Sequence, residues 1–157
     1  MKNIIKLLLS IVICQAAGVI GAVFTFPEIS NWYASLEKPS FSPPSWVFSP
    51  VWTILFLLMG ISLFLIWKKG TETKGKRDAI IVFFFQLVLN TLWSIIFFGF
   101  YSPGGAFLEI IVLWLAILFT IMQFYKISKP ASLLLLPYIV WVSFAAILNL
   151  FIWQINI

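Results

Sequence analysis

The side chains most able to do chemistry in this chain are indoles and carboxamides. It carries eight Trp and 17 Phe in 157 residues. Trp52, Trp93, Trp114 and Trp141 fall well inside long apolar runs, as do Gln15, Gln86, Asn90 and Asn149. An indole offers a stacking face, one N–H donor and an oxidisable ring. A carboxamide offers two donors and an acceptor, so it can orient a ligand without adding charge. Conventional catalysis has little to draw on. There is no His and a single Cys, Cys14. Ser-His-Asp and Cys-His nucleophiles, Cys/His metal centres and an internal disulfide are therefore excluded. The five carboxylates (Glu28, Glu37, Glu72, Asp78 and Glu109) form no obvious catalytic pair.

The elements that hold these groups follow from hydropathy. Hydrophobic residues make up 62% of the chain and charged residues 10%, with a mean hydropathy of +1.09. An ordinary soluble domain is about a quarter charged, so this chain cannot cover a water-facing surface. A spanning helix needs about 20 mainly apolar residues. Five segments meet that length, at 7–26, 45–67, 79–101, 106–125 and 132–153, within one domain covering residues 1–157. Period-2 alternation is absent, and backbone groups in lipid must be satisfied within the segment, so an all-α bundle is predicted. The first run is too long for a signal-peptide core and is read as a retained helix. The link over 27–44 is long, rich in proline and aromatic, which predicts a lid lying on the bundle.

Charge sets the expected orientation. Lys2, Lys6, Lys68, Lys69, Lys74, Lys76, Arg77, Lys126 and Lys129 all fall on one side of the membrane, and Lys38 alone on the other. The positive-inside rule then predicts a multi-pass cell-membrane protein with a cytoplasmic N-terminus and an external C-terminus. The net charge of +5 is accordingly a topology signal, with attraction to membrane lipid and no nucleic-acid partner.

Helical spacing gathers the candidate groups. Gln86, Asn90, Trp93 and Phe97 share one face of the third span. Trp52, Phe56 and Met59 share one face of the second. In the fifth, Pro137, Trp141, Phe144 and Leu148 form one stripe, and Tyr138, Ala145 and Asn149 the next. Two arrangements satisfy this pattern: a pocket walled by aromatic rings for a large flat ligand, or a packed helix interface whose amides bond across helices. Periodicity leaves both open. Glu109, near the start of the fourth span, reads as a structural carboxylate suited to the helix dipole.

Three motifs carry a resemblance. The segment Lys38-Pro39-Ser40-Phe41-Ser42-Pro43-Pro44-Ser45-Trp46-Val47-Phe48-Ser49-Pro50-Val51-Trp52-Thr53 resembles the signature of the TspO/MBR family of tryptophan-rich membrane proteins. Asn90-Thr91-Leu92-Trp93-Ser94, with Phe97 and Phe98, is similar to that family's third-helix motif. Pro137-Tyr138, Trp141, Phe144-Ala145, Leu148-Asn149 and Trp153 are similar to its fifth-helix motif.

The resemblance implies a five-helix bundle, commonly a homodimer, with a ligand pocket under the first loop. It implies porphyrins such as protoporphyrin IX, isoquinoline carboxamides and benzodiazepines as ligands, with no covalently bound cofactor. By position, the implied ligand site comprises Tyr33, Pro43, Trp46, Trp52, Phe56, Asn90, Trp93, Phe97, Trp141, Ala145 and Leu148. Light- and oxygen-dependent porphyrin degradation is implied too, with Trp52 and Trp141 as candidate redox residues; a carrier or a sensor without turnover are the alternatives. The chain departs from the family where Phe41 replaces a frequent Trp and Phe56 a frequent Tyr. The sterol pattern of animal members is incomplete, since Phe151 stands near its Tyr position and no basic residue follows. Ala17-x-x-x-Gly21 and Gly18-x-x-x-Ala22 are expected either at a dimer interface or between helices of one protomer.

Overall fold

The computed structural model describes residues 2–157, without the side chain of Lys2. Five rods cross the bundle. They are α1 (Lys2–Ile29), α3 (Phe48–Trp67), α4 (Lys76–Ser94), α5 (Pro103–Ile127) and α7 (Leu136–Ile155). Two short helices complete the set, α2 (Trp32–Ser35) in the first link and α6 (Lys129–Leu133) before α7. All five rods are long and apolar enough to span a bilayer. Each expected span is found: the second keeps its expected bounds, the third runs over Lys76–Gly99, and the other three extend by a few residues at both ends. The lid is shorter than expected, because α1 continues through Pro27 and α2 adds a helical turn.

Local chemistry explains the boundaries. Ser102 caps α5 by accepting from the Gly105 N–H at 3.3 Å, and Pro103 takes the first helical position, where a missing N–H costs nothing. Gly104 permits a close approach, since a Cβ there would lie 2.8 Å from the Trp153 ring. The third span ends in a π turn over Ile95–Gly99, closed by Phe100 N–H donating to the Ile95 carbonyl at 2.9 Å. The wider turn brings two consecutive rings, Phe97 and Phe98, to the inside. Tyr101, next in the link, holds a left-handed φ of 51°, unfavourable for a bulky residue, with its ring 5.1 Å from that of Trp32.

Lipid supplies no hydrophobic drive between helices, so close backbone approach and dispersion must hold the bundle. α1 lies against both α3 and α4. A Cβ on Gly18 would meet the Phe56 ring at 2.6 Å, and one on Gly21 would meet Ser94 Oγ at 3.2 Å. Thr91 Oγ1 donates to the Ala17 carbonyl at 3.2 Å. Gly18 and Gly21, one from each small-residue pattern, therefore pack within the protomer. On the other side α4 lies on α5, and α5 on α7.

The ring of helices closes at one end only. At the end away from the lid, α3 meets α6, and Ser62 Oγ donates to the Ala131 carbonyl at 2.7 Å. This half is solid, filled by Met59, Leu63, Ile66, Phe83, Phe124 and Leu135, with Phe83 and Phe124 stacked at 5.6 Å. Towards the lid, α3 and α7 are bridged by rings: Trp52 with Tyr138 at 6.3 Å and Phe48 with Trp141 at 6.1 Å. A second cluster of Tyr33, Phe97, Phe98, Ala106, Leu148 and Ile152 packs under the lid.

Gly60 is the tightest backbone contact. A Cβ there would lie 2.7 Å from the Cα of Ile11, which is main chain and cannot swing aside. Gly60→Ala is expected to lower stability by about 1–3 kcal/mol through overpacking, read from denaturant titration in detergent micelles. Gly70→Ala, with nothing within 4 Å, is expected to stay within about 0.5 kcal/mol of the wild type.

Candidate functional site

Between the two clusters lies a cavity of about 280 Å³, near the low end of the range for small-molecule sites. Trp52 and Phe56 of α3, Asn90 and Trp93 of α4, Phe97 of the π turn, and Trp141, Ala145 and Leu148 of α7 line it, with Tyr33 of α2 as its roof. These nine of the expected residues come together. Pro43 and Trp46 do not reach the wall. Trp46 sits in a single 3₁₀ turn, Ser45–Val47, and is 74% exposed on the outside of the bundle. In that turn a shift of one residue changes the face, and Phe48 takes the place at the wall.

Neighbouring rings fix one another at the wall. Trp93 stacks on Phe97 at 5.0 Å, and Trp52 lies 5.6 Å from Phe56. Trp141 lies 5.4 Å from Phe144, which in turn meets Phe41 of the lid at 6.4 Å. Tyr33 is wedged among Phe48, Phe97 and Phe98 at 5.8–6.4 Å. Burial pushes the Tyr33 phenol up from its ordinary pKa, and the Ser42 hydroxyl nearby is too poorly placed to bond it. Neither hydroxyl completes a hydrogen bond within the protein.

The polar groups divide into two sets. One set is spent on structure. Trp93 Nε1 donates to Asn149 Oδ1 at 3.1 Å, and Asn149 Nδ2 donates to the Pro103 carbonyl at 2.8 Å, tying α4, α5 and α7 together. Asn90 Nδ2 donates to the Tyr138 hydroxyl at 2.9 Å, and that hydroxyl donates to Gln86 Oε1 at 2.8 Å, well inside the core. The other set has no protein partner: the Trp141 indole N–H and the Tyr33 hydroxyl, both on residues of the cavity wall. The pocket and the packed interface read from periodicity are thus both present, sharing the same helix faces.

Three residues fall elsewhere. Gln86 belongs to the core, and its amide N–H groups find no acceptor. Trp114 donates to Ser143 Oγ at 2.8 Å and serves helix packing. Glu109 lies beyond the first turn of α5, out of reach of the helix dipole, and both of its oxygens are buried without a hydrogen bond. Sequence reasoning missed one whole wall. Ala17, Gly18, Gly21, Ala22 and Thr25 of α1 line the cavity. Their small-residue spacing marks a closely approached face, but it does not separate a helix contact from a ligand contact.

Replacing Tyr138 with Phe strands the Asn90 donor and the Gln86 acceptor together. It is expected to cost about 1–2 kcal/mol, within the span measured for buried polar groups in and out of membranes. In a double-mutant cycle with Gln86→Leu, the two losses should sum to more than the double variant loses. Strict additivity would show that the network carries no coupling.

Comparison with known proteins agrees with this architecture. The sequence model of the TspO/MBR family matches residues 10–154. The tryptophan-rich protein TspO of Chlorobaculum tepidum is 46% identical over 155 residues, covering 99% of this chain and 98% of that protein. The translocator protein of Bos taurus is 37% identical over 140 residues, covering 88% and 83% respectively. The tryptophan-rich sensory protein of Cereibacter sphaeroides is 32% identical over 143 residues, covering 91% and 86%. A family match along almost the entire chain, on five bilayer-length helices, establishes that this chain belongs to the TspO/MBR family and is a multi-pass membrane protein.

Proposed function

We propose that this protein is a membrane receptor for flat, apolar ligands, with porphyrins such as protoporphyrin IX as its main class and isoquinoline carboxamides as further ligands. The observation that carries this reading is the wall itself. Trp52, Trp93 and Trp141, with several phenyl rings, line one cavity whose wall is mostly apolar. Aromatic faces stack on a planar ring system, each pair worth about 0.5–1.5 kcal/mol beyond area burial.

Porphyrin degradation in light and oxygen is part of the proposal. The chain has no His to ligate a haem iron, and a metal-free porphyrin needs no axial ligand. Its excited state supplies the driving force, and oxygen the oxidant. Trp52 or Trp141 gives one electron to the excited ring, and the reduced ring passes it to oxygen as superoxide. The indole radical cation takes an electron back from the porphyrin, and superoxide adds to the oxidised ring, so that the net change is addition of oxygen to the porphyrin and the indole is restored. The solid half below the cavity supports binding and turnover over passage through the bundle. We also assign the N-terminus to the cytoplasm, because its side of the membrane carries nine basic residues against one, and a homodimer as the working assembly.

Titration of the purified protein with protoporphyrin IX should quench Trp fluorescence in the dark. Under illumination in air the porphyrin absorption band should then decay. Trp52→Phe with Trp141→Phe is expected to keep dark binding and slow that decay by about tenfold or more, a barrier change of roughly 1.4 kcal/mol. Dark binding with no light-dependent product would leave a sensor or scavenger; unchanged decay in the double variant would reject the indoles as donors.

A further inference from the structure

The cavity wall is uneven in one respect. Every lining residue contributed by α4, the π turn and α7 is buried or half-buried. The lining residues that also face outwards belong to α1 and α3 alone: Val19 and Phe26 on one side, Ser49 and Thr53 on the other. Val19 is 62% exposed and Phe26 59%.

The spacing between these two helices has a cause. Gly60 against Ile11 holds their far halves in contact, and Gly18 lies on Phe56. Gln15 Nε2 then donates to the Thr53 carbonyl at 3.0 Å. Nearer the lid, no further hydrogen bond joins α1 to α3 among the described residues. The side chains of Gln15, Ser49 and Thr53 form a polar sill at this level, on a surface otherwise made for acyl chains.

The roof, in contrast, is fastened. Asn156, just past α7, accepts from the Glu37 N–H at 3.0 Å and donates to the Glu37 carbonyl at 2.9 Å, pairing with the lid backbone as a strand neighbour would. Its Nδ2 also reaches the Ile152 carbonyl at 2.8 Å. Phe41 packs on Phe151 at 5.3 Å. Lys38 Nζ donates to the Leu36 carbonyl at 2.9 Å and sits 4.8 Å from the centre of the Tyr33 ring, over the roof. Opening the lid would break the Asn156–Glu37 pair and the Phe41–Phe151 contact together, while parting the lid-side ends of α1 and α3 breaks neither.

We propose that the cavity is loaded sideways, through a doorway between α1 and α3 facing the lid-side leaflet, with the lid staying clasped. The ligand is a planar amphiphile dissolved in the bilayer. Its apolar face slides past Val19 and Phe26, and its polar edge rests on Gln15, Ser49 and Thr53. No cation stands on this sill, so that edge is held by neutral hydrogen bonds. The inference rests on the receptor reading above and adds the route and the side of the membrane. It also accounts for size: a tetrapyrrole disc outsizes 280 Å³, and the doorway lets its rim extend into lipid.

The test is kinetic, because narrowing a door slows arrival and departure alike. Protein in phospholipid vesicles is mixed with protoporphyrin IX, and Trp quenching is followed by stopped flow; dissociation is read by transfer to excess empty vesicles. Ser49→Phe is expected to slow both rates by about fivefold, as a gating residue does. Val19→Phe, a lipid-facing change, is the second variant should Ser49→Phe not fold. Asn156→Ala, which undoes the clasp, should leave both rates as in the wild type. Faster exchange in Asn156→Ala, or wild-type rates in both doorway variants, would overturn the route. If the wild type shows no quenching at all, the receptor reading fails by itself. The doorway is then judged with phospholipids brominated on the upper acyl carbons. These should quench part of the wild-type Trp emission, and less of it in Ser49→Phe; equal quenching would reject the opening.

Discussion

A donor or acceptor buried in a bilayer has no water to turn to, and that constraint organises this protein. Most amides and indoles inside the bundle are met by another part of the chain. Asn149 settles two debts at once, accepting from Trp93 and donating to the Pro103 carbonyl. Tyr138 stands between Asn90 and Gln86 in the same way. Trp141 Nε1, the Tyr33 hydroxyl and the Gln86 amide N–H groups stay buried without a protein partner. The rings that line the cavity, more than the amides first noticed, define the shape it accepts.

The vacancy that holds them is a product of unequal packing. Gly60 lets α3 close on the α1 main chain at Ile11, and Ser62 with Ala131 draws α3 to the start of the fifth span. Both contacts tighten the half of the bundle away from the lid. In the lid half, bulky rings stand between α3 and α7 and prop them apart. Dispersion favours filling such a space, so an unfilled pocket walled by rigid rings is poised for something of matching shape.

Much of this was legible in the residues. Twenty-residue apolar runs define the spans, because the bilayer fixes the length of any helix that crosses it. Helical spacing brought Asn90, Trp93 and Phe97 to one face and set Trp141 and Leu148 on another. Its limits were equally physical. Gln86 shares the face of Asn90 yet lies too deep to touch the cavity, since a stripe reports direction and not depth. Trp46 lies in a short 3₁₀ turn, where the period of the following helix does not apply. Phe98 enters the core because a π turn displaces it by part of a turn, and such a turn carries no clear mark in the sequence.

Composition and periodicity alone determined that this chain is an all-helical membrane protein, how many times it crosses, and which faces of its regular helices carry rings and amides. Those properties depend on residues within one segment and on the thickness of the bilayer. Only the tertiary structure decided which of those polar groups are consumed by packing, that α1 supplies a wall, that the lid is fastened at Asn156, and where the cavity meets lipid. These depend on distances between segments far apart in the chain. A displacement of one ångström there separates a hydrogen bond from an unserved donor, and nothing in the spacing along a single helix carries that information.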